Sequence, residues 1–349
     1  MVPTETLQRG ITISALVSAL SGCSPTTQFQ GTTPIRITVP LEETVPAQYK
    51  EGVSFVLDVR KFGIEHLELY EHSRHYTWFG EDAGKEHTLN ILTITDPTVL
   101  PKSWDEKYNF LGYFSFYRDD VSGFLYLSSE KDDLTDERDY YQEKGFDVYW
   151  RSTTHYSGRG SEKGSPITPS VLNFSRVDQA RAVFHETCHD TVKHSIGRYF
   201  SSELNESYCS LIEYAGAVEY FQKKHLQKRG SLEDYDEAVR SFHLEQDFAN
   251  KVISTYSRLH SLYQSNKSLP KKMEERKKIF EDAKPFVGEE VNNAVLWDRY
   301  PYVAYFPLFY QWYEKEGLNL KTVVEKMKDC PGEEEQALEY IKEMLKNNK

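Results

Sequence analysis

The stretch Ala180-Arg181-Ala182-Val183-Phe184-His185-Glu186-Thr187-Cys188-His189 decides how the chain is read. Upstream, Ser175 with Asp178 three residues on is a capping-box-like start. The apolar residues before His185 predict a half-buried helix, which Gly197 is expected to stop. Residues four apart lie on one helical face, one turn up. Both imidazoles can therefore reach one metal ion, with Glu186 beside them to take a proton from water held there. The spacing is the HExxH pattern. A helix that carries two histidines for no chemical reason is the bland alternative, and the caps and the apolar run weigh against it.

A single Zn²⁺ per chain held this way needs a third protein ligand if a fourth position is to stay open. The next helix is predicted from Glu203 to about residue 224, capped by Ser202, and begins Glu203-Leu204-Asn205-Glu206-Ser207-Tyr208. A helix–turn–helix connection returns it against the first. The histidines stand about two turns before the end of their helix, so an antiparallel partner meets them at comparable depth. That favours Glu206 over Glu203 and makes Glu213 slightly deep without excluding it. Glu213 is otherwise read as accepting a hydrogen bond from a ligating imidazole, or as an exposed carboxylate. Cys188 and Cys209 fall on these two helices, either as small buried thiols or as an interhelical disulfide.

Outward from this pair, residues 87–95, 109–117 and 124–127 have strand character, and 146–150 form a further strand. A charged helix is predicted over 134–144, ending at Gly145. Residues 47–73 read as mixed helix-like sequence. Helices are predicted over 231–263, 270–283 and 333–346, with Pro301 and Pro307 punctuating an aromatic stretch. The expected class is α+β: a small N-terminal mixed sheet followed by a mainly helical region. His194 is expected on the surface. His66, His72 and His75 have no ligand spacing.

The chain has 349 residues, with 42 basic against 54 acidic side chains and a net charge of −12. No basic stripe offsets that balance, which disfavours nucleic acid as a partner. Its 24 Tyr, 19 Phe and 5 Trp need a packed core. Residues 11–20 form an apolar stretch too short to span a bilayer, preceded by Arg9 and followed by Leu20-Ser21-Gly22-Cys23-Ser24. This resembles the lipobox of bacterial lipoproteins. It implies a signal peptide over 1–22, an acylated Cys23 that anchors the chain to a membrane, and a location in the bacterial envelope. Ser24 after the cysteine favours the outer membrane by resemblance to Gram-negative sorting rules. The expected organisation is then a tether over 23–50, a catalytic region over 51–230 and a helical region over 231–349 packed on it.

Taken together, these segments resemble the predicted-aminopeptidase family of bacterial lipoproteins, from the lipobox to near the C-terminus. The most specific matches are Gly145-Phe146-Asp147-Val148-Tyr149, Val183-Phe184-His185-Glu186 with His189, and Leu204-Asn205-Glu206-Ser207-Tyr208. Asn292-Asn293-Ala294 and the Tyr-rich stretch after it also fit. Thr187 and Cys188 depart from the family's usual Leu-Ala, and the connection from His189 to Glu206 looks longer. The resemblance implies a zincin-like fold and a zinc metallopeptidase acting on peptides. His185, His189 and Glu206 would be the ligands and Glu186 the general base. The family has a Tyr where Tyr156 stands, so a phenol that donates to the developing oxyanion is expected there. Asn292 and Asn293 either reach the cleft or bond backbone. The alternative is a non-catalytic, metal-binding envelope lipoprotein.

Overall fold

The computed structural model describes residues 41–80, 89–101, 123–128, 134–153, 164–196, 200–288 and 290–346. Its first long element is helix α1, Lys50–Leu67. Val53, Val56, Val59, Phe62 and Leu67 recur at helical spacing and are buried on one face. The helix stops at Glu68, whose φ of 60° is left-handed. A helix therefore precedes the sheet, in a region whose charges blur its apolar stripe.

The sheet has three strands, β1 (Leu89–Thr95), β2 (Gly123–Ser128) and β3 (Asp147–Thr153), in the order β2-β1-β3. Both pairings are antiparallel. The expectation of a mixed sheet is thus corrected. The connection between β2 and β3 carries helix α2 (Thr135–Glu143) and returns the chain to the far edge of β1, antiparallel to it. Gly145, at φ +82°, turns the chain from α2 into β3. Leu92 and Ile94 face α2 and pack with Leu134, Tyr141, Val148 and Trp150. The strand expected over 109–117 lies outside the described residues.

The rest is helical: α3 (Arg176–Thr191), α4 (Ser202–Leu226), α5 (Leu232–Gln264), α6 (Leu269–Val287), α7 (Asn293–Val303), α8 (Phe306–Lys315), α9 (Leu320–Met327) and α10 (Glu334–Lys346). A π-helical segment, Val192–Ile196, follows α3. Ser175 caps α3 by accepting from the Asp178 amide. The cap of α4 is Ser201, which accepts from the Leu204 amide, one residue earlier than the sequence predicts. One apolar cluster runs from Val45 through α1, α3, α4 and α5 to Ile341, across residue 231. Among the described residues no helix is long and apolar enough to cross a membrane.

α3 and α4 form the most extensive helix pair. Their close approach depends on Gly216 of α4: a Cβ there would lie 3.0 Å from Cδ2 of the buried Phe184. Phe184 is fully buried between Gly216 and Gly63 of α1, where a Cβ would lie 3.3 Å from Cε1 of the ring, so it has little room to retreat. Gly216→Val is therefore expected to destabilise the fold by about 1–3 kcal/mol, read as a lower midpoint in urea denaturation.

Candidate metal centre

α3 and α4 bring three ligand-bearing side chains to one point. The rings of His185 and His189 stand edge to face with centroids 4.8 Å apart. Glu206 Oε2 lies 3.2 Å from His185 Nε2 and 3.5 Å from His189 Nε2. One ligand atom from each residue falls within 4.8 Å of the others, the only such His/Cys/Asp/Glu group among the described residues. Two imidazole nitrogens and a carboxylate oxygen are a donor set that suits Zn²⁺.

The far sides of the imidazoles fit the same assignment. Glu213 Oε2 lies 2.9 Å from His185 Nδ1, somewhat off the N–H direction. A carboxylate there favours the tautomer with the proton on Nδ1 and leaves Nε2 free to ligate. The Asn205 carboxamide is 3.0 Å from His189 Nδ1. Turned so that Oδ1 faces the ring, it does the same for the second histidine. The Asn-Glu pair at 205–206 thus places a carboxylate beside the two Nε2 atoms and a carboxamide behind His189. Glu203, three residues before Glu206, is buried beside Tyr256 and Tyr300 instead.

Charges around the triad are tightly balanced. Burial works to raise the Glu213 carboxyl, but the Arg181 guanidinium and His185 hold it at about 2. Burial likewise opposes ionisation of Glu206, and the two imidazoles pull it well below the usual carboxylate range. Burial lowers both imidazoles, yet Glu206 and Glu213 lift His185 well above its ordinary value, and Glu206 lifts His189. Arg181 Nε donates to Glu213 Oε1 at 3.0 Å, Nη1 to Asp178 at 2.9 Å, and Nη2 to the Tyr214 hydroxyl. Sequence reading missed Arg181, although its place one turn before His185 put it on the same face.

Glu186 is 4% exposed, and its Oε2 has no hydrogen-bond partner. A cavity of about 480 Å³ opens beside it, with His185, Glu186 and Glu213 in its wall. Tyr302 and Arg299 of α7 and Arg151 of β3 line the same space. Arg151 Nε donates to both carboxylate oxygens of the buried Asp298, at 3.0 and 2.8 Å. Burial and the nearby Glu206 raise the Tyr302 phenol above its ordinary value, so it stays protonated. Its ring centroid is 6.1 Å from that of His185.

Tyr156 and Cys23 lie outside the described residues. Asn292 caps α7 and donates to the Val148 carbonyl, and Asn293 donates to the carbonyls of Asp96 and Val99, so both bond backbone. His194 is exposed and stacked on Tyr70. His66 meets Lys223 and His72 is exposed beside Glu71. His75, by contrast, is buried, accepts from the Ser165 amide and lies 3.7 Å from Asp190, next in sequence to His189. Cys188 and Cys209 are free, buried thiols with Sγ atoms 2.6 Å apart, the first of the two readings of the sequence.

The family described as "Putative aminopeptidase" matches residues 26–338. The chain belongs to that family. The match covers both helices of the triad and the sheet in front of them, so peptides are the substrates the family description implies. No curated protein and no solved structure gives a match.

Proposed function

We propose that the chain is a zinc-dependent metallopeptidase with a zincin-like site of the gluzincin kind, acting as an aminopeptidase. His185, His189 and Glu206 would hold the ion, Glu213 and Asn205 would orient the imidazoles, and Glu186 would be the base. When bound, zinc supplies a Lewis acid for the scissile carbonyl and favours ionisation of water near neutral pH. Glu186 accepts the proton of the attacking water and delivers it to the leaving amine nitrogen. Tyr302, protonated and facing the same cavity, is placed to donate to the oxygen of the tetrahedral intermediate. Arg181 keeps Glu213 ionised and so keeps His185 in its ligating tautomer.

The observation that carries this reading is the unpartnered Oε2 of Glu186 beside the triad. A buried carboxylate oxygen without a partner is costly, and a site that only stored or displayed a metal would gain nothing from it. That disfavours the non-catalytic alternative. A fluorogenic peptide survey in the presence and absence of a zinc chelator tests the proposal. Chelator-sensitive cleavage is expected, and no cleavage of any peptide by zinc-loaded protein would overturn it.

We also propose that Cys23 anchors the chain in the bacterial envelope, on the strength of the apolar stretch and the small residues before it. Cys23→Ala is expected to shift the protein from the detergent phase to the soluble fraction. A wild-type N-terminus that mass spectrometry finds unacylated would refute the anchor.

A further inference from the structure

Four carboxylates line the cavity beside the triad: Asp178, Glu186, Glu213 and Glu245. Three already have work. Asp178 pairs with Arg181 at 2.9 Å. Glu213 pairs with Arg181 at 2.8 Å and faces His185. Glu186 stands at the metal ligands. Glu245, on α5, is different: the Tyr214 hydroxyl donates to its Oε2 at 2.9 Å, and among the described residues no cation lies within ion-pair distance. Tyr214 has no freedom in this bond. Its oxygen accepts from Arg181 Nη2, which can only donate, so its single proton goes to Glu245. Two guanidiniums of the cavity wall act on Glu245 without pairing with it: Arg181, which is bonded to Glu213 and Asp178, and Arg299, which donates to the Tyr149 hydroxyl at 3.1 Å.

On the proposed peptidase reading, we infer that Glu245 is the anchor for the free α-ammonium of the substrate. An ammonium brings a compact positive charge and three donors, which a half-buried carboxylate with one neutral partner can accept. Burial raises the Glu245 carboxyl, so it ionises most readily when a cation joins it. The apolar walls that Phe174 and Phe248 give to the cavity suit the side chain of the first residue. Tyr214, Arg181, Glu213 and His185 form an unbroken chain of polar contacts from Glu245 to a metal ligand. That chain ties the position of the Glu245 carboxylate to that of His185.

The test reads binding in the Glu186→Gln protein, where turnover does not interfere. Calorimetry compares a phenylalanine-first tripeptide amide carrying a free amino group with its N-acetyl form. The free amine is expected to bind tenfold or more tightly, and adding Glu245→Gln, which keeps the acceptor for Tyr214, is expected to bring the two within about twofold. A persisting preference in that variant, or no preference before it is made, would overturn the inference. If Glu245→Gln does not fold, Glu245→Asp and Asp178→Asn decide. The first is expected to reduce the preference and the second to spare it, and the opposite pattern would contradict the assignment. Failure of zinc-loaded wild-type protein to cleave any peptide of the fluorogenic survey would refute the peptidase reading, while the binding preference would still judge Glu245.

Discussion

Glu186→Gln is expected to retain zinc and to lose peptide hydrolysis by about 10³-fold or more. The side chain is buried on α3 and its Oε2 has no partner in the protein, so the isosteric amide placed there breaks no hydrogen bond of that atom. What it removes is basicity, since an amide cannot accept the proton of the attacking water. General-base contributions of about 10² to 10⁴ set the scale. Metal content and kcat measured on the same preparation check it. Full zinc occupancy with unchanged kcat would show that another group takes the proton.

Glu206→Ala is expected to weaken zinc binding far more than Glu213→Ala does. Glu206 approaches the Nε2 atoms of both histidines, at 3.2 and 3.5 Å, so on the proposed assignment its loss removes a ligand outright. Glu213 touches only the far nitrogen of His185 and is shared with Arg181. Its loss leaves three ligands in place and is expected to cost about 10–100-fold in affinity. Competition against a zinc chelator orders the two variants. The reverse order would make Glu213 the ligand and place α4 two turns from its assigned depth.

What the sequence made legible was local. The cap at Ser175, the apolar run before His185 and the i,i+4 histidines reported α3 because each acts within one or two turns. Adjacent serines at 201 and 202 moved the start of α4 by one residue, since either can cap and only the backbone geometry chooses. α1 read as mixed because its charged residues interrupt a stripe that is clear once its buried positions are known. α9 was missed because eight residues give too short a window for periodicity. The antiparallel sense of the sheet depends on which edge of β1 receives β3, and no local signal carries that.

At the site the same division holds. His185, Glu186, His189 and Glu206 come from two consecutive helices, so spacing placed the first three together and favoured Glu206, while the family resemblance decided between it and Glu213. Glu213 was left between two readings because its role depends on where Arg181 points. Tyr302, Arg299 and Glu245 enter from α7 and α5, more than thirty residues from α3 in the chain. Only tertiary packing reveals that they share a cavity. Asn292 and Asn293 stand near the site in sequence pattern, yet their amides are spent on backbone carbonyls.

The central claim is that one ion, held by His185, His189 and Glu206, makes this chain a peptidase. It is tested most directly by stripping the protein of metal and titrating zinc back while peptide hydrolysis is followed. Activity is expected to be absent at the start, to rise linearly and to break at one zinc per chain. Hydrolysis that persists in the stripped protein, or one tightly bound zinc per chain with no hydrolysis at all, would contradict it.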